Sequence, residues 1–269
     1  GTSGQRSSRK VQQPTASSTL VMRRSPSKAK VSTQCSVSFD ACTSAAWVSD
    51  TTITCVAPAG VGTGKDVIVS RQGWAPAAND AGNGLVRYEA PTVASIAPST
   101  GAQVTGGQTL TTTGVHFGTT DSSPTVTVGG ETCPSPTWVS STQITCTTPA
   151  GGGTGLDVVV TVAGQSNSAG NGLFNYAVSE VTSVVPSKGD TAGGPLVVKG
   201  KGFGHNATST RTITVGGTPC TNVVHKSNVE LECTFAAYTS GAFADLDVRV
   251  TLSGQTSSAG NKLFSYNVQ

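Results

Sequence analysis

Charge is scarce in this chain: Asp, Glu, Lys and Arg make up 12% of its 269 residues, and aromatic residues only 5%. Methionine occurs once. No stretch of useful length carries the 3.6-residue apolar period of an amphipathic helix, which argues against a helical bundle or coiled coil. No run of eighteen apolar residues occurs either, so no segment reads as a membrane-spanning helix. No apolar signal segment is present. The chain opens at Gly1 instead of Met, the mark of a fragment or a processed product. Acid is absent before Asp40, although Arg6, Arg9, Lys10, Arg23, Arg24, Lys28 and Lys30 all precede it. The net charge of +3 therefore hides a basic N-terminal segment followed by ten basic and 14 acidic residues. What abounds is Gly, at 33 residues, together with Ser, Thr and Val. That is a composition for short strands joined by tight turns.

One passage is written three times. Its fullest copy joins Cys133 to Cys146 across thirteen positions, continues through Pro149 and the strand Asp157-Val-Val-Val-Thr-Val162, and closes with Ala169-Gly-Asn-Gly-Leu-Phe174-Asn-Tyr176. Cys42 and Cys55 repeat the spacing, followed by Pro58, Asp66-Val-Ile-Val69, Ala81-Gly-Asn-Gly-Leu85 and Tyr88. Cys220 and Cys233 repeat it again, followed by Asp245-Leu-Asp-Val-Arg-Val250, Ala259-Gly-Asn-Lys-Leu-Phe264 and Tyr266. A repeat of this length divides the chain into small domains, each with a modest core.

Residues 91–178 and 179–269 are complete copies. Each opens with a strand and glycine-rich turns, from Val93 through Pro98 and Gly101 to Phe117-Gly118, and from Val181 through Pro186 and Gly189 to Phe203-Gly204. Strands such as Thr125-Val-Thr-Val128 place every second side chain on one face, and Phe174 shares a face with Tyr176 as Phe264 does with Tyr266. Short alternating strands separated by Gly, Pro and Asn turns predict antiparallel sandwiches. Residues 35–90 form a copy that is incomplete on its N-terminal side. Residues 1–34 have the composition of a linker or disordered arm, with only Leu20-Val-Met22 to pack. Either the first domain lacks its first two strands or this segment supplies divergent ones; a sandwich without them exposes an edge to another chain. The handovers at Tyr88–Val93 and Tyr176–Val181 are short enough to hold the domains in a semi-rigid row.

The openings Pro98–Gly118 and Pro186–Gly204, the cysteine pairs, the turn at Pro149 and the closing Gly-Leu-Phe-Asn-Tyr176 resemble the IPT/TIG family. Its immunoglobulin-like domains occur in plexins, in the hepatocyte growth factor receptor and its relatives, and in large protist and algal surface proteins. The resemblance covers nearly all of 91–269 and the later part of the first copy. It implies an immunoglobulin-like fold and extracellular work; it does not imply one activity.

Cys42–Cys55, Cys133–Cys146 and Cys220–Cys233 are three same-domain pairs. They lack the close C-x2-C spacing or His partners that a metal site requires. A disulfide closing so short a loop stabilises by about 3 kcal/mol in the chain-entropy model. Three of them imply an oxidising compartment; buried free thiols in a cytosolic protein are the alternative. Cys35 is the odd cysteine, aligned with Val126. It is either a buried small hydrophobe or an intermolecular crosslink.

Asn206-Ala-Thr208 is the one N-glycosylation triplet. Ala59-Gly-Val-Gly-Thr-Gly-Lys65-Asp66 resembles a phosphate loop but begins with Ala and has Asp where a hydroxyl would hold magnesium, so it reads as a repeat turn. His116, His205 and His225 have no ligand partners at metal spacing, and Glu230 and Glu232 read as solvated strand charges. No nucleophile stands beside a base. Trp47 and Trp138 align and read as packing, which leaves Trp74 as the candidate exposed contact.

These observations predict an all-β chain of tandem immunoglobulin-like antiparallel β-sandwiches in a row, with no catalytic residue, cofactor or metal. The expected role is a non-catalytic structural or adhesion module of a cell-surface or appendage glycoprotein (a filament or flagellar hair), in the secretory pathway or outside the cell. Expected partners are other proteins, further domains of a longer chain, copies of itself, or glycans. A receptor ectodomain is the alternative within the binding class. An accessory domain of a polysaccharide enzyme and an intracellular DNA-gripping immunoglobulin-like protein stand behind it. Nucleic acid is not expected, because the sandwich bodies are acidic.

Overall fold

A computed structural model describes residues 19–22, 33–38, 40–49, 52–71, 84–204 and 210–267. Among them there is no helix; every regular element is a strand. The second domain shows why. Val126 and Val128 of Thr125–Val128 lie opposite Val160 and Val158 of the antiparallel strand Val158–Val162, and all four are buried. Alternation along both strands puts Val126, Val128, Val158, Val160 and Val162 on the inner face and Thr125, Thr127, Val159 and Thr161 on the other, as a half-buried sheet requires. Glu131–Thr132 and Gln165–Ser166 complete that sheet at its edges. The facing sheet runs Thr137–Ser140, Gln143–Thr147, Thr109–Val115, Thr92–Ala97 and contributes Leu110, Ile144 and Cys146 to the core. Phe117 and Phe174 fill the space between, both fully buried.

The third domain repeats this plan. Thr221–Ser227, Glu230–Phe235, Gly194–Lys201 and Glu180–Val185 form one sheet, and Thr218–Pro219, Arg211–Val215, Val248–Leu252 and Gln255–Thr256 the other. Its core holds Phe203, Ile213, Leu231, Val250 and Phe264.

In the first domain the strand Val67–Arg71 pairs with Thr33–Val37, with Asp40–Ala41 at the edge. Opposite lie Thr43–Ser49 and Thr52–Val56. A short strand from the basic stretch, Thr19–Met22, pairs with Thr52–Val56 so that Leu20 faces Cys55. In the second domain Leu110 faces Cys146 in the same way. Thr19–Met22 therefore occupies the place of Thr109–Val115, one of the two openings the sequence left unassigned.

The recurrent Asp and Ala-Gly-Asn motifs form a clasp. Asp157 accepts N–H bonds from Gly170 and Gly172, while Asn171 holds both the N–H and the carbonyl of Val158. Asp247 and Asn261 do the same around Gly260, Lys262 and Val248. These N–H groups, Gly172 foremost, hold the Asp157 carboxyl below its ordinary value, and those of Gly260 and Lys262 do so for Asp247. A folded-state value below the unfolded one gives stability that is present above about pH 4 and lost as the pH falls through the folded value. The thermal midpoint is therefore expected to hold from pH 7 to 5 and to drop below pH 4. Asp157→Asn is expected to flatten that drop in the second domain; an equally steep drop in the variant would count against the clasp.

Candidate functional site: the cysteines and the domain junctions

The closing tyrosines fasten each sandwich to the turn after its second cysteine. The hydroxyls of Tyr88, Tyr176 and Tyr266 donate to the carbonyls of Pro58, Pro149 and Ala236 at 2.8–2.9 Å. Phe174 and Tyr176 meet edge-on with ring centroids 4.9 Å apart, a geometry the ring quadrupole favours. Beneath Tyr176 lies Gly151, where a Cβ would press within 2.8 Å of the phenol oxygen. In the third domain Tyr238 stands at that position and packs against the Tyr266 ring.

Cys133 and Cys146 are joined by a disulfide inside the second core. Cys220 and Cys233 lie side by side with their sulfurs unbonded; the Cys233 thiol donates to Cys220, which lowers the Cys220 value and raises that of Cys233. In the first domain Cys35 is buried on the inner face, opposite Val69 as Val126 is opposite Val160. Its sulfur stands 2.8 Å from that of Cys42 and 2.6 Å from that of Cys55. None of the three is bonded in this structure. The convergence was not visible in the spacing, because Cys35 lies on a strand of one sheet and Cys55 on a strand of the other, and only the packing of the two sheets brings their sulfurs together. The alignment of Cys35 with core residue Val126 was the available signal.

Asn206 and Trp74 lie outside the described residues. Trp138 packs on the second core and donates its indole N–H to the Phe117 carbonyl at 3.0 Å, whereas Trp47 is 51% exposed. His225 takes the Trp138 position and places Nε2 3.1 Å from the Gly204 carbonyl. Glu230 and Glu232 face Lys199 and Lys226 at 3.9 and 3.1 Å, surface pairs worth about 0–1 kcal/mol each.

The junctions between domains are built twice on one plan. The loop after the turn in one domain docks on the hairpin that follows the long inner strand of the next. Val61 packs on the second core, a Cβ at Gly62 would sit 3.2 Å from that of Ala163, and the Gln165 side chain donates to the Tyr88 carbonyl at 3.0 Å. One domain further on, Gly152 lies against Leu252, Gly153 against Ser253, and the Gly153 N–H donates to Gln255 Oε1 at 3.1 Å. Leu252, 2% exposed, belongs to the core cluster of the domain before it. The phosphate-loop lookalike at 59–66 is this docking loop. Of the connecting residues Pro91 and Ser179 are buried; Ser179 donates to the Gly202 carbonyl at 2.7 Å, and at the first junction the exposed His116 lies 3.2 Å from both the Ala90 carbonyl and the Glu89 carboxylate.

The family model of the IPT/TIG domain matches residues 20–89, 91–176 and 179–266. The chain belongs to the IPT/TIG family. It is 33% identical over 174 residues to human fibrocystin-L, covering 61% of this chain and 4% of that protein. It is 34% identical over 83 residues to the contact site A protein of Dictyostelium discoideum, covering 30% of this chain and 16% of that one. The chain thus spans a small part of the curated relatives it matches. Among solved structures, the full extracellular region of plexin A4 covers 93% of this chain at 16% identity and a TM-score of 0.33, with 32% of that chain covered. Within this IPT/TIG chain no helix among the described residues is long and apolar enough to cross a membrane.

Proposed function

We propose that this chain is a non-catalytic segment of an extracellular cell-surface or appendage glycoprotein, whose IPT/TIG domains space and bind through sandwich faces and edges. The observation that carries the reading is the repeated junction. Two successive domain pairs bury apolar side chains and linker residues in the same arrangement, the requirement for a row that holds its length. A buried contact of this kind sets neighbours apart from the loosely linked domains that move independently by default. The disulfide in the second core supports an oxidising compartment, and the relatives named above support work at the cell surface. Homotypic and glycan partners, and an N-linked sugar at Asn206, belong to the same proposal.

Small-angle X-ray scattering from the intact chain in solution tests the spacing role. One extended conformation is expected to account for the whole curve. A curve that requires a broad distribution of interdomain orientations would remove the rod and leave only independent binding modules.

A further inference from the structure

Three sulfurs meet in the first domain where its sisters have two. All lie within 4.8 Å of one another, with Cys35 and Cys55 buried and Cys42 half-buried. A metal ion does not suit the spacing. Thiolates about 2.3 Å from one zinc stand about 3.8 Å apart, whereas Cys35 is 2.6 and 2.8 Å from its neighbours. Those separations are closer to bonding than to ligation, and a sulfur can hold only one disulfide at a time.

We propose that the first domain is a thiol–disulfide exchange site in which Cys35 is the shared partner of Cys42 and Cys55, and Cys42 is the thiol presented to an external disulfide. The inference rests on the oxidising compartment of the proposed function. There, one bond forms between two of the three cysteines as two electrons pass to a low-molecular-weight disulfide, which leaves as two thiols. With Cys42–Cys55 joined as the equivalent Cys133–Cys146 pair is in the second domain, the Cys35 thiolate attacks the Cys55 sulfur. The Cys35–Cys55 bond forms, the Cys42–Cys55 bond breaks, and Cys42 leaves as a thiolate that takes up the proton Cys35 released. Cys42 then attacks an external disulfide RS–SR, forming Cys42–S–S–R and releasing RS⁻, which is protonated by solvent. The number of disulfides is conserved at each exchange. Because Cys35 is 3% exposed, the surplus thiol reaches other molecules only after it has been moved to Cys42.

Burial pushes the Cys42 thiol up to about 11 and that of Cys35 higher still. Among the described residues the two other sulfurs and Tyr88 are the titratable groups that interact with Cys42, and Asp40 acts on Tyr88. Since the thiolate is the nucleophile, exchange is expected to accelerate about tenfold per pH unit from 7 to 10.

The test treats the full chain with oxidised glutathione, quenches with an alkylating agent and maps unreduced peptides. One glutathione on Cys42 with Cys35 joined to Cys55 is expected. Cys35→Val, which restores the kind of residue found at Val126 and Ile213 in the sister domains, is expected to keep the fold and lower glutathione uptake at least tenfold. Cys42–Cys55 in every molecule, uptake unchanged by Cys35→Val, or one tightly held metal ion with all three cysteines unmodified would each overturn the proposal. Untreated secreted protein reports the compartment separately. Free Cys133 and Cys146 there would sink the extracellular reading whatever the first domain does.

Discussion

Gly114→Ala is expected to lower the stability of the second domain by about 3 kcal/mol or more, the upper range for forcing atoms into a packed interior. Gly114 lies in the strand Thr109–Val115 at the point where it crosses Thr92–Ala97 with a shift of register. A Cβ there would overlap the Thr92 carbonyl oxygen and come within 2.7 Å of the Phe117 ring. Backbone cannot rotate away as a flexible side chain can, and Phe117 is fully buried, so both obstacles are fixed. The φ at Gly114 is not in the left-handed region, and the penalty is therefore one of space alone. For a domain of this size the midpoint of thermal unfolding should fall on the order of 15 °C. Gly200 meets the Glu180 carbonyl and the Phe203 ring in the same way, so Gly200→Ala should produce a similar loss in the third domain only. Calorimetry with the two variants separates the transitions. A loss under about 1 kcal/mol in either would mean that the two strands part more easily than their pairing implies.

The sequence made such positions readable as a pattern but not as a cause. Gly114-Val-His-Phe117-Gly118 and Gly200-Lys-Gly-Phe203-Gly204 align by inspection; only the crossing strands show that the glycine serves close approach. The inner strands were legible residue by residue, because alternation of Val with Thr is a local signal that a buried sheet face preserves. The Ala-Gly-Asn motif was legible as a turn, while its attachment to Asp157 and Asp247, thirteen and more residues away, was not. Thr19–Met22 escaped for a related reason. Four residues in a Ser- and Arg-rich stretch carry little period of their own, and their strand character comes from pairing with Thr52–Val56. Cys35 carried a partial signal, its alignment with Val126. The meeting of its sulfur with those of Cys42 and Cys55 depends on both sheets being in place. The junctions gave least warning, since Gly152 and Leu252 are one hundred residues apart and neither looks unusual locally. Trp47 shows the limit of reading by alignment: its counterpart Trp138 rests against Phe117, but the stretch of the first domain equivalent to Phe117 lies outside the described residues.

Leu252→Asp is expected to separate the second and third domains while leaving each folded. Leu252 ends the inner strand Val248–Leu252, yet its side chain packs with the core of the second domain beside Gly152. Removing a buried leucine costs about 2–5 kcal/mol, and a carboxylate in the same apolar contact adds a desolvation penalty that the free, parted domains avoid. Parting is the cheaper response, because it returns the aspartate to water and forfeits only the junction. The single extended conformation expected from scattering should then give way to a distribution of angles between these two domains, and protease is expected to cut the variant near 177–179 faster than the intact chain. The first junction, built on Val61, Ala163 and Gln165, should be untouched, so the second domain keeps its position against the first. Leu252→Ala is expected to show the same change to a smaller degree. If the third domain unfolds while the scattering of the remainder stays rigid, Leu252 supports its own domain and not the row. If neither the angles nor the protease pattern changes, the junction is not what holds the domains in line, and the proposed spacing role loses its physical basis.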